Sequence, residues 1–191
     1  MLEQEFTNLV NDFGVPVTLN DETTTRKAIL SSQTLSDTLP DFDDKTIHSD
    51  FPIKRGDVIT YNDTKYLIIS DVQAKRSYEY KATIRPMTNA FQFTYMTDGY
   101  YEETDRFGNP IWIREPEEVT EDLPCIAQQE GSPTIESGQI RLPEERIIVI
   151  MSDDNISQQI EINSNHQMMN DTYNIVNINL LQSGLRIFTM E

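Results

Sequence analysis

Histidine, cysteine and clustered carboxylates are the residues of this chain best suited to chemistry, and their spacing fits no familiar site. Neither His48 nor His166 has a second histidine or a cysteine at the spacing of a zinc site. The carboxylates of Asp41-Phe-Asp-Asp44 lack the glycine and the bidentate glutamate of a calcium-binding loop. Cys125 is the single cysteine, and we expect it to be a small buried side chain in a β-strand. The sequence therefore predicts no metal site and no cofactor.

Catalytic motifs are also missing. The sequence contains no nucleophile elbow, no dinucleotide-binding fingerprint and no phosphate-binding P-loop, and it has only seven glycines. Acidic residues are abundant, but nothing singles out two of them as a glycosidase pair, which geometry rather than sequence defines. Arg55-Gly56-Asp57 spells a cell-adhesion tripeptide, which we interpret as a tight turn that enters the strand beginning at Val58. We predict that the chain is not an enzyme and has no catalytic residue.

The chain is strongly acidic. It has 32 acidic and 15 basic residues, a formal net charge of −17, and every lysine lies at or before Lys81. A protein that binds DNA tightly needs a basic surface to displace counterions from the phosphates, and this composition argues against one. One interpretation of the negative charge is that it only keeps the protein soluble. Another is that it prevents the surface from binding nucleic acid that passes close by. No run of 18 apolar residues occurs, so we predict no membrane partner.

Two segments of the sequence echo each other. Tyr61-Asn-Asp-Thr-Lys-Tyr-Leu-Ile-Ile-Ser70 and Met169-Asn-Asp-Thr-Tyr-Asn-Ile-Val-Asn-Ile178 each place an Asn-Asp turn between two β-rich runs, which is typical of a hairpin. The echo predicts one small β-module used twice, with the hairpins around residues 58–69 and 169–181 at equivalent positions. Asn-Asp-Thr can also recur simply because these residues favour turns. The echo therefore has two interpretations, a duplicated module or a coincidence of turn chemistry.

Helical periodicity is found only at the N-terminus, where an apolar stripe ends before Gly14 and Pro16; its members are Leu2, Phe6, Leu9, Val10 and Phe13. So short a helix needs a docking surface, on its own module or on a neighbouring subunit. We predict packing roles for Leu2, Phe6, Leu9 and Phe13, and for Trp112. The remaining pattern is mainly β and predicts an all-β fold of two small barrels or sandwiches after the helix. The predicted units are a helix (1–14), a first β-module (15–96), a projecting hairpin and acidic linker (97–122) and a second β-module (123–191).

A long irregular segment, residues 31–52, separates the second strand candidate from the central hairpin. It is acidic and carries spaced hydrophobic residues. Loops of this length are usually functional or disordered, and the two phenylalanines favour a loop that packs on something in some state.

The order of these elements resembles the head-closure proteins of tailed bacteriophages, also called stoppers or head-to-tail connectors. The resemblance covers roughly residues 1–96 and is carried by a short helix that ends in Asp12-Phe-Gly-Val15, the strand Lys27-Ala-Ile-Leu30, a long loop, and the hairpin Ile53-Lys-Arg-Gly-Asp-Val-Ile-Thr-Tyr-Asn-Asp-Thr-Lys-Tyr-Leu-Ile-Ile-Ser-Asp-Val72. In that family a similar Gly-Asp hairpin leads into a β-barrel. This chain differs in having Asp63-Thr64 where a glycine is common, and in carrying a second module.

The resemblance implies a ring of identical subunits in the virion, assembled in the cytoplasm of the bacterial host. Its partners are then portal or adaptor proteins on one side and tail or tail-terminator proteins on the other. Double-stranded DNA passes through the ring without tight binding, and a loop from each subunit gates it. The matching gating residues here are Leu39, Asp41, Phe42, Asp43 and Asp44.

A second hypothesis belongs to another class of protein. The chain is then a carbohydrate- or receptor-binding β-module of a phage tail or surface protein, in which Trp112 and the pair Tyr100 and Tyr101 supply a platform for stacking.

Overall fold

The computed structural model describes residues 2–32, 43–129, 134–136, 139–141 and 146–191, and it consists of one helix followed by two β-barrels. Helix α1 spans Leu2–Phe13. The backbone of Gly14 closes the last turn, where its N–H donates to the carbonyl of Val10 at 2.8 Å. A Cβ at Gly14 would collide with that same carbonyl, so glycine is required here because of the close approach. The predicted helix and the mainly all-β fold are confirmed.

The first barrel is a closed ring of six antiparallel strands. Its strands are β1 (Val15–Leu19), β2 (Thr25–Ser32), β3 (Lys45–Ser49), β4 (Val58–Tyr61), β5 (Thr64–Ile68) and β7 (Glu79–Pro86), with the short β6 (Gln73–Lys75) pairing with β7 beyond the end of β5. Around the ring the order is β1, β2, β3, β7, β5 and β4, and β4 pairs again with β1. Alternating side chains fill the interior, among them Val17, Ile47, Ile59, Ile68 and Ile84.

The second barrel also has six antiparallel strands. They are β8 (Asn89–Met96), β11 (Glu118–Gln129), β14 (Ile147–Ser152), β15 (Asn165–Met168), β16 (Asp171–Asn179) and β17 (Leu185–Met190). The closed order is β8, β11, β14, β17, β16 and β15. Its core is built around Phe91, Phe188, Ile175 and Met190, which are fully buried. Two further pairs, β9 (Tyr100–Thr104) with β10 (Pro110–Arg114) and β12 (Thr134–Glu136) with β13 (Gln139–Arg141), stand outside this ring.

The two barrels share one topology. When the six strands of each ring are counted along the chain, both rings have the circular order first, second, third, sixth, fifth, fourth. The hairpins β4–β5 and β15–β16 are the fourth and fifth strands in each case, so their predicted equivalence is confirmed. The sequence echo itself is displaced by one residue. The first hairpin turns at Asn62-Asp63, as the echo predicts, but the second turns at Met169-Asn170 and not at Asn170-Asp171. All four turn residues have positive φ.

Two sequence predictions about boundaries need correction. Strand β8 was assigned to the first module, but it pairs with β11 over eight residues and belongs to the second barrel. The hairpin and acidic linker were predicted to extend to residue 122, but Glu118 already begins β11. Between β14 and β15 the chain forms a 3₁₀ turn at Ser157–Gln159.

The irregular segment 31–52 is also shorter than predicted. Strand β2 continues to Ser32 and β3 begins at Lys45. Ile47 is fully buried and Phe51 is 8% exposed, so the second half of the segment contributes to the first core.

The barrels meet at a tight junction. Gly56 and Gly184 both have positive φ, and their backbones are so close that a Cβ on either would overlap the other segment's backbone. Ser152 Oγ donates a hydrogen bond to the Gly56 carbonyl at 2.8 Å. Beneath this contact, Leu67 of the first barrel packs with Ile126 and Leu185 of the second in a separate apolar cluster. The predicted tight turn at Arg55-Gly56-Asp57 therefore also forms part of the contact between the barrels.

Candidate assembly surfaces

The carboxylates predicted to gate a channel are partly described by the structure. Leu39, Asp41 and Phe42 lie outside the described residues. Asp44 accepts two hydrogen bonds from Arg85, at 2.8 Å from Nε and 2.8 Å from Nη2, and both side chains are largely buried. A bidentate pair of this kind fixes the carboxylate to β7. Asp44 is therefore a structural anchor for the start of β3.

The neighbouring Asp43 is more exposed and pairs with Lys45 at 2.7 Å. The hydrogen bond from Lys45 to Asp43 is the largest cause that raises the pKa of this lysine, so the ammonium stays charged. Of the two described gating candidates, only Asp43 has a carboxylate that points largely to solvent.

The apolar stripe of α1 is only partly covered by the first barrel. Val10 is 1% exposed and Phe6 lies 6.2 Å from the ring of Tyr78, so this edge packs on the barrel. Lys27 Nζ also donates to the carbonyl of Asn11 at 2.6 Å. The other edge is bare, and its three members, Leu2, Leu9 and Phe13, are 53%, 46% and 72% exposed. We call Leu2, Leu9 and Phe13 the helix stripe.

Carboxylates flank the helix stripe on the side that faces away from the barrel. At 100° per residue, Leu2, Leu9 and Phe13 fall within about 40° of one another, while Glu5 and Asp12 lie about 60–80° from Leu2, opposite to Val10. Both acidic residues are exposed. The helix therefore presents an uncovered apolar ridge with negative charge along one border.

The second surface is the projecting hairpin formed by β9 and β10, which we call the arm. Every residue of β9 and all but Pro110 of β10 are exposed. Register shifts at Trp112 interrupt the pairing of the two strands. An isolated two-stranded hairpin is marginally stable in water, and this one carries five large exposed apolar or aromatic side chains along its strands; these are Tyr100, Tyr101, Ile111, Trp112 and Ile113.

The arm is an insertion that the barrel does not need. It joins the first and second strands of the second barrel, and at the same place in the first barrel the short segment 20–24 suffices. A long connection without a role in closing the ring is most often kept for an interaction.

The tip of the arm is rigidly capped. Asp105 accepts hydrogen bonds from the backbone N–H groups of Phe107 and Asn109 and from Asn109 Nδ2, and these bonds, those from Asn109 first, lower the pKa of Asp105. Gly108 has φ +87°, which completes the turn. The cap leaves the guanidinium of Arg106 stacked 4.8 Å from the ring of Phe107, which is 75% exposed.

The aromatic rings nearer the base of the arm do not form a flat platform. The rings of Tyr101 and Trp112 meet edge to face at 5.2 Å with 82° between their planes. Tyr100 pairs across the hairpin with Arg114 instead and donates its hydroxyl to Glu102 at 2.6 Å. Trp112 also lies against Gly99, where the arm leaves the barrel. The three rings therefore do not share one plane.

A cleft of about 700 Å³ lies beside the junction of the barrels. Its charged lining includes Arg55, which pairs with Asp71, and the carboxylates Asp21, Asp153 and Asp154. Asp153 in turn accepts a bond from Arg186 at 2.9 Å, and Lys65 binds Asp21 at 2.8 Å. Each of these ion pairs lies within one barrel, and Asp154 accepts hydrogen bonds from the N–H groups of Ile156 and Ser157. The cleft is therefore lined by carboxylates that already have partners.

The histidines and the cysteine lie apart from one another. His48 Nδ1 is 3.2 Å from Glu79 in the first barrel. His166 lies against Phe91 and Phe93 in the second barrel, and its Nε2 is 2.6 Å from Ser164 Oγ, a contact that no sequence pattern predicts. Burial lowers the pKa of His166. Burial raises the pKa of Cys125 to about 12, which keeps it a thiol. Within the described part of the chain, no three metal-ligating side chains come together.

The fold is a tandem of two six-stranded antiparallel barrels of one topology, preceded by a helix. The YomX N-terminal domain matches residues 1–86 and the YomX C-terminal domain matches residues 89–191, so the chain belongs to the YomX family. The family is phage-derived, of the type found in Bacillus phage SPbeta, and the predicted phage origin is confirmed at this level. No curated protein and no solved structure matches the chain.

The family boundaries agree with the strand pairing. The division between the two domains falls at residues 86–89, directly after β7 and before β8. Each family domain therefore corresponds to one closed barrel. Among the described residues, no helix has the length and hydrophobicity that a membrane crossing requires.

Proposed function

We propose that this chain is a structural subunit of a phage neck, present as a ring between the portal-capped head and the tail, through which DNA passes. The observation that carries the proposal is a tightly joined pair of barrels with two uncovered apolar surfaces, the helix stripe and the arm. Soluble proteins rarely leave such surfaces bare unless a partner covers them. The Gly-Asp hairpin on which the resemblance to head-closure proteins depends is β4–β5 of the first barrel, and this supports the proposal.

The location of the protein in the virion tests this proposal. Purified particles of the phage that encodes the chain are expected to contain it in a copy number that is a multiple of the ring symmetry, and particle images with an antibody label are expected to place it at the head–tail junction. The major capsid protein supplies the internal standard for counting. Label at the distal end of the tail would favour the receptor-binding hypothesis, and absence from the particle would exclude both.

The charge of the chain leads to a prediction about DNA. Tight phosphate contacts would stall a duplex in a channel, since each neutralised phosphate adds affinity through counterion release. A net charge of −17 repels the duplex instead, over a screening length of about 8 Å at physiological salt. We expect no measurable binding of a labelled duplex by fluorescence anisotropy at that salt. Micromolar binding would contradict this account of the acidic surface.

The gating hypothesis needs a variant that leaves the barrel intact. Asp44 is unsuitable because its replacement would remove the two hydrogen bonds that anchor the start of β3 to Arg85. Asp43→Lys changes the same local charge at a more exposed site. If this segment lines the channel, phage carrying Asp43→Lys are expected to eject DNA more slowly while forming complete particles. Ejection at the wild-type rate would show that Asp43 does not line the channel.

A further inference from the structure

Two uncovered apolar surfaces lie on opposite halves of the chain. The helix stripe belongs to the first barrel and the arm is inserted in the second. Both are exposed together in the single chain, so neither covers the other within one molecule. Each surface therefore needs an apolar partner from another molecule, and each could serve as that partner for the other.

The match in charge between the two surfaces is local to the tip of the arm, because Glu102 and Glu103 lie back along β9 and the carboxylate of Asp105 is bound within the cap. The tip of the arm offers one aromatic ring, Phe107, with the cation of Arg106 held against it. The helix stripe offers an apolar ridge bordered by the exposed carboxylates of Glu5 and Asp12. A ring placed on this ridge brings its stacked guanidinium to the acidic border. Such a contact would combine burial of the Phe107 ring with an ion pair between Arg106 and the carboxylates.

The distribution of charge along the chain favours contacts between unlike halves of two copies. Residues 1–86 contain ten basic and fourteen acidic side chains, whereas residues 87–191 contain five basic and eighteen acidic ones. Two second barrels facing each other would place the most negative surfaces together. Both halves are net negative, but a contact between the second barrel of one copy and the first barrel of the next lowers that repulsion.

We propose that the arm of one copy docks on the helix stripe of the next, with Phe107 seated between Leu9 and Phe13 and Arg106 facing Glu5 and Asp12. The partner is a second copy of this chain. The interface is head to tail, because the two surfaces differ, and repetition of such a contact closes into a ring when the rotation permits. A hairpin with strands of five residues extends about 17 Å, which is enough to reach across to a neighbour. This inference deepens the proposed neck ring and rests on it for the closed assembly.

Sedimentation velocity of the full chain over a range of concentrations tests the interface. The wild-type chain is expected to form oligomers, and both Phe107→Ser and Leu9→Ser are expected to weaken association about tenfold or more, since each removes a large apolar side chain from the contact. Leu181→Ser is the matched control, because Leu181 is 92% exposed and belongs to neither surface. Circular dichroism confirms that the variants fold.

A mixing experiment distinguishes this head-to-tail contact from a symmetric one. The Phe107→Ser chain keeps an intact helix stripe, and the Leu9→Ser chain keeps an intact arm. Each alone is expected to be monomeric, and the mixture is expected to form one-to-one dimers and nothing larger. Charge reversal gives a second readout: Arg106→Glu is expected to weaken association, and the additional changes Glu5→Arg and Asp12→Arg are expected to restore it.

Three outcomes would overturn the inference. They are a wild-type chain that stays monomeric up to about 100 µM, an oligomer that Phe107→Ser leaves unchanged, and a mixture that does not form dimers. The neck location is measured separately on virions. If the variants leave the oligomer unchanged but the protein lies at the neck, the arm-to-helix contact is wrong and the proposed function is still supported. If the protein is absent from the virion, the proposed function is wrong even when the contact forms.

Discussion

Replacement of Gly184 by alanine is expected to lower the free energy of unfolding by about 3 kcal/mol. Two effects add at this position. A non-glycine residue at positive φ costs about 1–2 kcal/mol, and a Cβ at Gly184 would overlap the backbone carbonyl of Arg55, so the two barrels must shift apart at a cost of about 1–3 kcal/mol. Urea denaturation with a probe in each barrel measures the change.

Gly108→Ala is the matched control for this prediction. Gly108 has nearly the same φ, +87°, but a Cβ there would meet nothing within 4 Å. It is expected to lose at most the backbone contribution, about 1–2 kcal/mol, because the arm can open locally while the barrels stay folded. The difference between the two variants therefore sets an upper limit on the cost at the contact between the barrels. Equal losses in both would show that the junction tolerates a side chain and that the barrels are not tightly joined there.

The sequence predicts the individual strands of this protein better than their partners. Alternation in Val15, Val17 and Leu19 locates β1, and the turn residues Asn62 and Asp63 locate the first hairpin, because these signals are local. Strand β15 has the sequence Asn-His-Gln-Met and no such alternation. It is a strand because it pairs with β16 across the turn at Met169-Asn170 and with Gln92 of β8, and no local pattern encodes the contact with β8.

The boundary between the barrels was missed for a similar reason. Composition changes at the acidic stretch after Arg114, so local evidence placed the division there. The ring closes instead through long-range pairs such as Phe91 with Leu123, which assign β8 to the second barrel. Closure of a barrel is a property of all six strands together.

The candidate surfaces were partly predictable. The apolar spacing of Leu2, Leu9 and Phe13 is visible in the sequence, and so is the hairpin that turns at residues 106–110. Which edge of the helix stays bare is not visible, because that depends on Gly14 bringing β1 and β2 close to the side of Val10. The role of Asp44 as partner of Arg85 was likewise hidden, since the two residues are 41 positions apart.

The second large effect is expected from Asp57, the aspartate of the Arg-Gly-Asp tripeptide. Asp57 is 5% exposed, and its two carboxylate oxygens accept hydrogen bonds from Asn20 Nδ2 at 3.0 Å and from the Lys54 N–H at 2.8 Å. Asn20 in turn accepts a bond from the Val58 N–H at 2.8 Å, so the aspartate ties the β1–β2 turn to the start of β4. The tripeptide therefore serves the fold of the first barrel.

Asp57→Ala is expected to lower the free energy of unfolding by about 3 kcal/mol, because hydrogen bonds to a charged group contribute about 1.5–3 kcal/mol each and their removal leaves two donors without an acceptor. Asp57→Asn keeps one acceptor oxygen and is expected to lose about half as much. The exposed Asp50→Ala is the control, with an expected change within about 0.5 kcal/mol. Urea denaturation ranks the three variants. If Asp57→Ala unfolds at the same urea concentration as Asp50→Ala, the hydrogen bonds of Asp57 do not stabilise the turn. The tripeptide would then have to be reconsidered as a surface motif.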